Sequence, residues 1–136
     1  ILDEISAMEF RDPQDPVFGL EPDENASDRA TFDDVDDYHG YSSTLPTHRD
    51  GPLIAGYEGW AISVSVQAAD PASIGVTTIN ADEASPLRLI NVTCIGPDGT
   101  RLQATTVKWH RKYASTSLRR HFLGIICVGR PVSLRA

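Results

Sequence analysis

A β-hairpin is the feature of this sequence that most constrains the fold. Residues 87–95 are mostly apolar, and residues 100–109 are rich in β-branched side chains. Between them, residues 96–99 read Gly-Pro-Asp-Gly, and these residue types favour tight turns. We therefore predict two antiparallel strands joined by this turn. The first strand has apolar residues on both faces, so we expect it to be central in its sheet.

A further strand is predicted before the hairpin. Residues 60–68 alternate between apolar and smaller or polar side chains, which is typical of a half-buried strand. The apolar positions are Trp60, Ile62, Val64, Val66 and Ala68. The Asp-Pro pair at 70–71 is expected to end this strand. Near the C-terminus, residues 122–128 form an apolar run that fits either a strand or a buried turn of helix.

The first ten residues predict a short amphipathic helix. Ile1, Ile5 and Met8 fall on one helical stripe, with Leu2 beside it. The Asp-Pro pair at 12–13 is expected to end the helix, because proline disfavours helical geometry at the preceding residue. An isolated helix of about ten residues is marginal in water, and no capping residue precedes this one in the sequence. The pattern therefore fits either an ordinary N-terminal helix or the last turns of a longer one.

Length and composition predict one domain and argue against a nucleic-acid partner. A chain of 136 residues with 40% hydrophobic content can bury a core of its own. The formal charge is −7, and it is unevenly distributed. Residues 1–50 hold 14 acidic and 3 basic residues, whereas residues 51–136 hold 5 acidic and 9 basic ones. Binding to nucleic acid requires clustered Lys and Arg, which this distribution does not offer.

Four carboxylates lie within five positions, framed by two aromatic residues. They are Asp33, Asp34, Asp36 and Asp37. These residues are candidate calcium ligands, because Ca²⁺ favours several oxygen ligands. Their spacing does not match an EF-hand loop: counted from Asp34, the fifth position is Tyr38. The alternative interpretation is a solvated loop whose aspartates cap turns or a helix N-terminus.

The two cysteines, Cys94 and Cys127, fit either one disulfide or two buried thiols, since both lie in apolar runs. A nucleophile pair of Cys94 and His110 across the hairpin is disfavoured, because nothing near Cys94 would lower the pKa of its thiol. The Gly-x-Ser-x-Gly motif of a nucleophile elbow is absent from the sequence. We therefore expect that the chain is not an enzyme.

The order of these elements resembles that of minor prepilins and pseudopilins. Residues 2–5 and 32–40, Leu-Asp-Glu-Ile and Phe-Asp-Asp-Val-Asp-Asp-Tyr-His-Gly, carry the resemblance. It is nearest to the minor prepilin D family of the mannose-sensitive haemagglutinin pilus, and it covers residues 1–113. The cleavage site of the family, glycine-phenylalanine-threonine-leucine followed by glutamate, does not occur in this sequence.

The resemblance implies an α+β, pilin-like fold, in which the C-terminal part of a long N-terminal helix packs on a small antiparallel β-sheet. The chain is then one domain, 1–136. Residues 1–11 are the helix remnant, 12–56 an acidic and irregular region, 57–113 the sheet and 114–136 a C-terminal extension of undefined structure.

The implied function is that of a structural minor pilin or pseudopilin subunit of a type IV pilus or type II secretion filament. Its partners would be other pilin or pseudopilin subunits, and the inner membrane through the helix missing from this sequence. The implied location is the bacterial inner membrane with a periplasmic globular domain, or an extracellular filament. No cofactor is required. The rival hypothesis is a calcium-dependent secreted binding module, a β-sandwich that holds metal near a carbohydrate or protein ligand.

Overall fold

The computed structural model describes residues 1–12, 17–71 and 85–110. These residues form helix α1, a 3-10 helix and four strands, which pair antiparallel in the order β1-β2-β3-β4. The elements are α1 Leu2–Ala7, the 3-10 helix Asp36–Tyr38, β1 Ser42–Ser43, β2 Ala61–Ala68, β3 Leu87–Ile95 and β4 Arg101–Trp109. In the part of the chain so described, no helix has the length and apolar character needed to cross a bilayer.

The predicted hairpin is confirmed. Strands β3 and β4 pair from Leu87 opposite Trp109 to Ile95 opposite Arg101. The backbone N–H of Gly99 donates to the carbonyl of Gly96 at 2.9 Å, and Gly99 has a φ of 80°, which favours glycine. Strand β3 lies between β2 and β4, so its predicted central position is also confirmed.

Strand β2 confirms the alternation predicted for residues 60–68. Val64, Val66 and Ala68 are buried, whereas the side chains between them are partly exposed. Strand β2 lies between β3 and β1, and β1 belongs to the region 12–56 that we expected to be irregular. This two-residue strand pairs Ser42 with Ser63 and extends the sheet by one short edge.

Helix α1 lies against one face of the sheet. Ile5 is fully buried in the same core cluster as Val64 and Ile90, and Ile1, Leu2 and Met8 pack against that cluster. The predicted apolar stripe is therefore confirmed. Lys108 of β4 donates from Nζ to the carbonyls of Ile5 at 3.3 Å and Ser6 at 3.2 Å, and also to that of Met8. These carbonyls lie at the C-terminal end of the helix, where a positive charge is favourable.

The expected fold, a long N-terminal helix packed on a small sheet, is wrong. The described structure is mainly a four-stranded antiparallel sheet, and its one α-helix has six residues. The helix ends at Ala7, before the Asp-Pro pair. Met8 has an extended backbone, with φ −65° and ψ 164°, and Glu9 forms a parallel bridge with Asp34. Residues 32–40, which we name the acidic stretch, thus pair with the chain where further helical turns would otherwise follow. Pro13, the apolar run 122–128 and the extension 114–136 lie outside the described residues.

The acidic stretch completes the core instead of lying free in solvent. Phe32, Val35 and Tyr38 are buried in the cluster that also contains Ile5. The ring of Phe32 makes edge-to-face contacts with Tyr38 and Tyr41, at centroid distances of 5.0 and 6.1 Å. Helix α1 and this segment therefore form the second layer of the domain, over the sheet.

Candidate metal centre

The aspartates of the acidic stretch first shape their own backbone. The carboxylate of Asp34 accepts the N–H of Asp36, and Oδ2 of Asp37 accepts the N–H groups of Asp33 at 2.9 Å and Asp34 at 2.8 Å. Short carboxylates often bond to nearby backbone groups in this way, and the resulting turn leads into the 3-10 helix. The turn-capping interpretation therefore describes what Asp34 and Asp37 do.

Asp36 lies apart from the other three aspartates, in a buried ion pair with Arg88 of β3. Nε of Arg88 donates to Oδ1 of Asp36 at 2.7 Å, and Nη2 donates to Oδ2 at 3.0 Å. The guanidinium also lies over the rings of Phe10 and Phe18, 4.9 and 5.3 Å from their centroids. The positive charge of Arg88 thus already neutralises Asp36, so we do not count Asp36 as a metal ligand.

Two glutamates join the remaining aspartates in a group that we name the carboxylate cluster. It consists of Glu21, Glu24, Asp33, Asp34 and Asp37. One carboxylate oxygen from each of Glu21, Asp34 and Asp37 lies within 4.8 Å of the other two, and the same holds for Glu24, Asp33 and Asp37. Asp37 belongs to both groups and lies at the centre of the cluster.

A tight turn presents the two glutamates to the aspartates. The N–H of Glu24 donates to the carbonyl of Glu21 at 3.1 Å, and the N–H of Glu21 donates to Oε2 of Glu24 at 2.9 Å. This reciprocal pairing holds the Glu24 side chain against the backbone of Glu21. Each glutamate also offers one oxygen to a group that contains Asp37.

Three oxygens of the cluster are buried without a hydrogen-bond partner. They are Oε1 of Glu21, Oε1 of Glu24 and Oδ1 of Asp37, none of which accepts a bond from any described residue. Glu21 is 8% exposed and Asp37 is 1% exposed. An unpaired polar atom in such a position is costly, and buried carboxylates are normally hydrogen-bonded, paired with a cation or protonated.

Burial also changes the protonation of the cluster. It raises the pKa of Glu21 to about 9, that of Asp37 to about 7 and that of Asp34 to about 6. The negative charges of neighbouring carboxylates raise the pKa of each further. The physical cause is that each added negative charge loses hydration without gaining a positive partner. The cluster can therefore hold protons or a cation near neutral pH.

Sequence reasoning identified three of the five cluster residues and missed Glu21 and Glu24. Both lie in a polar, proline-bearing segment that predicts loop, and they fold back on the acidic stretch only in the tertiary structure. The local signal was the spacing Glu-x-x-Glu at 21–24, which places two carboxylates on one turn. That spacing alone does not indicate which other acids the turn will meet.

The other candidate residues are not brought together. Cys94 pairs with Leu102 at one end of the hairpin, whereas His110 follows Trp109 at the other end. Burial raises the pKa of the Cys94 thiol above its usual value, which makes it a poorer nucleophile. Cys127 lies outside the described residues, so its disulfide with Cys94 stays a prediction.

Comparison with known proteins adds no relative to this description. No protein-family model, curated protein or solved structure matches the chain.

Proposed function

We propose that the chain is a structural, non-catalytic subunit of a type IV pilus or type II secretion filament. The observation that carries this proposal is the contact between Glu4 and Tyr38. The Tyr38 hydroxyl donates to Oε1 of Glu4 at 2.7 Å, across 34 positions of sequence. These residues belong to the two segments that resemble minor prepilins, and the bond joins those segments in one buried core.

The attachment of helix α1 to the sheet supports the same role. Nη1 of Arg29, which is 5% exposed, donates to Oε2 of Glu4 at 2.7 Å, so both oxygens of this carboxylate are held. Next to Glu4, Ile5 is buried, and Lys108 binds the carbonyls at the C-terminal end of the helix. A filament subunit needs its N-terminal segment to be held firmly on its sheet domain, because the packing of that segment in the filament then sets the position of the sheet domain.

The separation between Cys94 and His110 does not favour a nucleophilic enzyme. The cysteine and histidine considered as a nucleophile pair lie at opposite ends of a nine-residue strand pair, roughly 27 Å apart at about 3.4 Å per residue over the eight positions from Leu102 to His110. Nucleophilic catalysis requires nucleophile and base within hydrogen-bond reach. A subunit that acts by binding its neighbours has no such requirement.

The rival hypothesis of a calcium-dependent binding module gains support from the carboxylate cluster but not from the fold. A β-sandwich needs two packed sheets, whereas the described strands form one sheet covered by α1 and the acidic stretch. Asp34 and Asp37 are 0% and 1% exposed. Because both side chains are buried, a cation bound by them would join the acidic stretch to the loop that contains Glu21 and would not reach an external carbohydrate.

The coding region upstream of Ile1 provides the first test. We expect a short basic leader, the glycine-phenylalanine-threonine-leucine site with its glutamate, and about 20 apolar residues running into Ile1. An ordinary cleavable signal peptide, or another soluble domain, would overturn the proposal. The full-length tagged protein should then fractionate with the inner membrane and with filaments sheared from the cells that carry it.

A pair of variants tests the contact that carries the proposal. Glu4→Gln weakens the bonds to Tyr38 and Arg29, so we expect less of this variant in sheared filaments at equal cellular protein level. Glu58→Gln is the matched control, since Glu58 is exposed and makes only a local bond with Gly56. Equal incorporation of both variants and the unaltered protein would show that the Glu4 contact has no part in assembly.

A further inference from the structure

We propose that the carboxylate cluster is a structural calcium site centred on Asp37. Glu21 and Asp34 form one group of convergent oxygens with Asp37, and Glu24 and Asp33 form a second group with the same aspartate. The site does not rest on the proposed filament role, because it is carried by the positions and burial of these five side chains alone.

The unpaired oxygens are the observation that points to a ligand. Oε1 of Glu21 and Oδ1 of Asp37 are buried and accept no bond from the described residues, although the other oxygen of Asp37 accepts two backbone N–H groups. Turn capping accounts for Oδ2 of Asp37 but leaves these two buried oxygens without a backbone donor. Both oxygens belong to side chains that converge with Asp34, since one carboxylate oxygen from each of the three lies within 4.8 Å of the other two.

Donor types and coordination geometry favour Ca²⁺ over other common divalent ions. Ca²⁺ takes six to eight oxygen ligands at about 2.3–2.6 Å in flexible geometry, and the convergent donors of the cluster are all carboxylate oxygens. Mg²⁺ binds at about 2.0–2.1 Å, demands near-ideal octahedral geometry and keeps its waters. Zn²⁺ prefers His and Cys, and the cluster contains neither.

The surroundings of the cluster provide entry for the ion and moderate its negative charge. Asp33 is exposed and Glu24 is half-buried, so the ion has a route from solvent on that side. Burial raises the pKa of Asp33, and the positive charge of Arg49 offsets part of that effect. Five carboxylates exceed the charge of one divalent ion, and Arg49 together with the N–H donors of the turn offsets part of the excess.

A cation at this position would join three parts of the chain. Glu21 and Glu24 belong to the loop before the acidic stretch, and Asp33, Asp34 and Asp37 belong to that stretch. Oδ2 of Asp34 also accepts the N–H of Asp12 at 2.7 Å, which connects the segment after helix α1. Calcium would thus hold the layer that covers the sheet, and its removal would loosen that layer.

The test uses the purified 136-residue chain, treated with EGTA and then titrated with CaCl₂ by calorimetry. We expect saturable binding, and a rise in melting temperature of roughly 10 °C at a calcium concentration 100 times Kd. MgCl₂ at the same concentration should give a clearly smaller shift. Absence of binding, or an equal response to Mg²⁺, would overturn the assignment of the cluster to calcium.

Variants locate the ion on the cluster. Glu21→Gln and Asp37→Asn each remove the negative charge of one ligand. We expect calcium affinity to fall at least about tenfold, since even the loss of a residue that supports a metal ligand typically costs that much. Asp50→Asn is the matched control: it removes the same charge from an exposed position outside the cluster. Unchanged affinity in both cluster variants, or an equal loss in the control, would place the ion elsewhere.

Melting in EGTA separates loss of the site from loss of the fold. Without calcium and near neutral pH, Glu21→Gln should melt close to the unaltered chain, because the pKa of Glu21 is raised to about 9 and the side chain that the amide replaces is itself neutral. A variant that is folded in EGTA and does not respond to calcium supports the site. A folded variant that keeps the full calcium shift contradicts it.

Discussion

Arg88 and Asp36 form a bidentate ion pair, 52 positions apart in sequence, that joins the central strand to the 3-10 helix. Arg88 is 0% exposed and Asp36 is 1% exposed. Nη1 of Arg88 also donates to the carbonyl of Ser85 at 3.1 Å, so the guanidinium is bonded on three sides. A buried charge of this kind is costly unless it is paired, and the pair therefore determines how the acidic stretch is positioned on the sheet.

Removing one partner of this pair should destabilise the fold strongly. Arg88→Met or Asp36→Asn leaves an uncompensated buried group, and we expect the free energy of unfolding to fall by about 3–5 kcal/mol. The double variant Arg88→Met, Asp36→Leu should recover much of the loss, because no buried charge remains. Urea unfolding at equilibrium measures all three. Arg101→Met is the control, since Arg101 is exposed, and a loss equal to that of Arg88→Met would contradict the prediction.

The hydroxyl of Tyr38 should contribute measurably to stability through Glu4. Burial and the hydrogen bond to the Glu4 carboxylate both raise the pKa of Tyr38, so the hydroxyl stays protonated and donates. Tyr38→Phe should reduce the free energy of unfolding by about 1.5–3 kcal/mol, the range for a bond to a charged group. Tyr57→Phe, at an exposed ring, is the matched control. Denaturant titrations that do not distinguish the two variants would contradict a role for the Glu4 contact.

Truncation of Ile5 tests how far helix α1 depends on the sheet. Ile5 is fully buried among strand residues, so Ile5→Ala should cost about 2–5 kcal/mol in unfolding free energy. Leu102→Ala removes a similar side chain that is 49% exposed and should cost much less. Loss of helical circular dichroism without a change in unfolding midpoint would mean that α1 frays independently of the sheet.

Local periodicity explains why the strands could be predicted. Alternation in β2 and the Gly-Pro-Asp-Gly turn of the hairpin are properties of neighbouring residues, so they are visible before the fold is known. The end of α1 depends instead on the bridge between Glu9 and Asp34, 25 positions apart. An apolar strand pattern likewise does not reveal that Arg88 is buried in it, because its partner Asp36 belongs to a distant segment.

The candidate site shows the same division between local and tertiary information. The acidic composition at 33–37 identifies Asp33, Asp34 and Asp37 as possible ligands without structural knowledge. Asp36 differs from these three aspartates because Arg88 pairs with it in the folded chain. Glu21 and Glu24 become possible ligands because their loop folds back on the acidic stretch. Sequence reasoning therefore predicts the type of ligand, whereas the selection of ligands is a property of the folded chain.

The pH dependence of stability provides a further prediction. In the folded chain, the pKa is raised to about 6 for Asp34, about 7 for Asp37 and about 9 for Glu21, from ordinary values of 3.8 for the aspartates and 4.5 for the glutamate. Between the ordinary and the raised values, the folded state binds more protons than the unfolded state. Stability in the absence of calcium must therefore fall as the pH rises through this window, from about 4 to 9.

Melting temperatures at pH 5 and pH 8 in EGTA, and again in saturating calcium, measure this linkage. In EGTA the melting temperature should be lower at pH 8, because the buried carboxylates lose their protons without gaining a partner. Calcium competes with those protons and requires the deprotonated ligands, so the stabilisation by calcium should be larger at pH 8 than at pH 5. The Glu21→Gln variant should reduce both effects, since it has one fewer carboxyl to titrate. A melting temperature in EGTA that rises from pH 5 to pH 8 would contradict the raised pKa values and, with them, the buried state of the cluster.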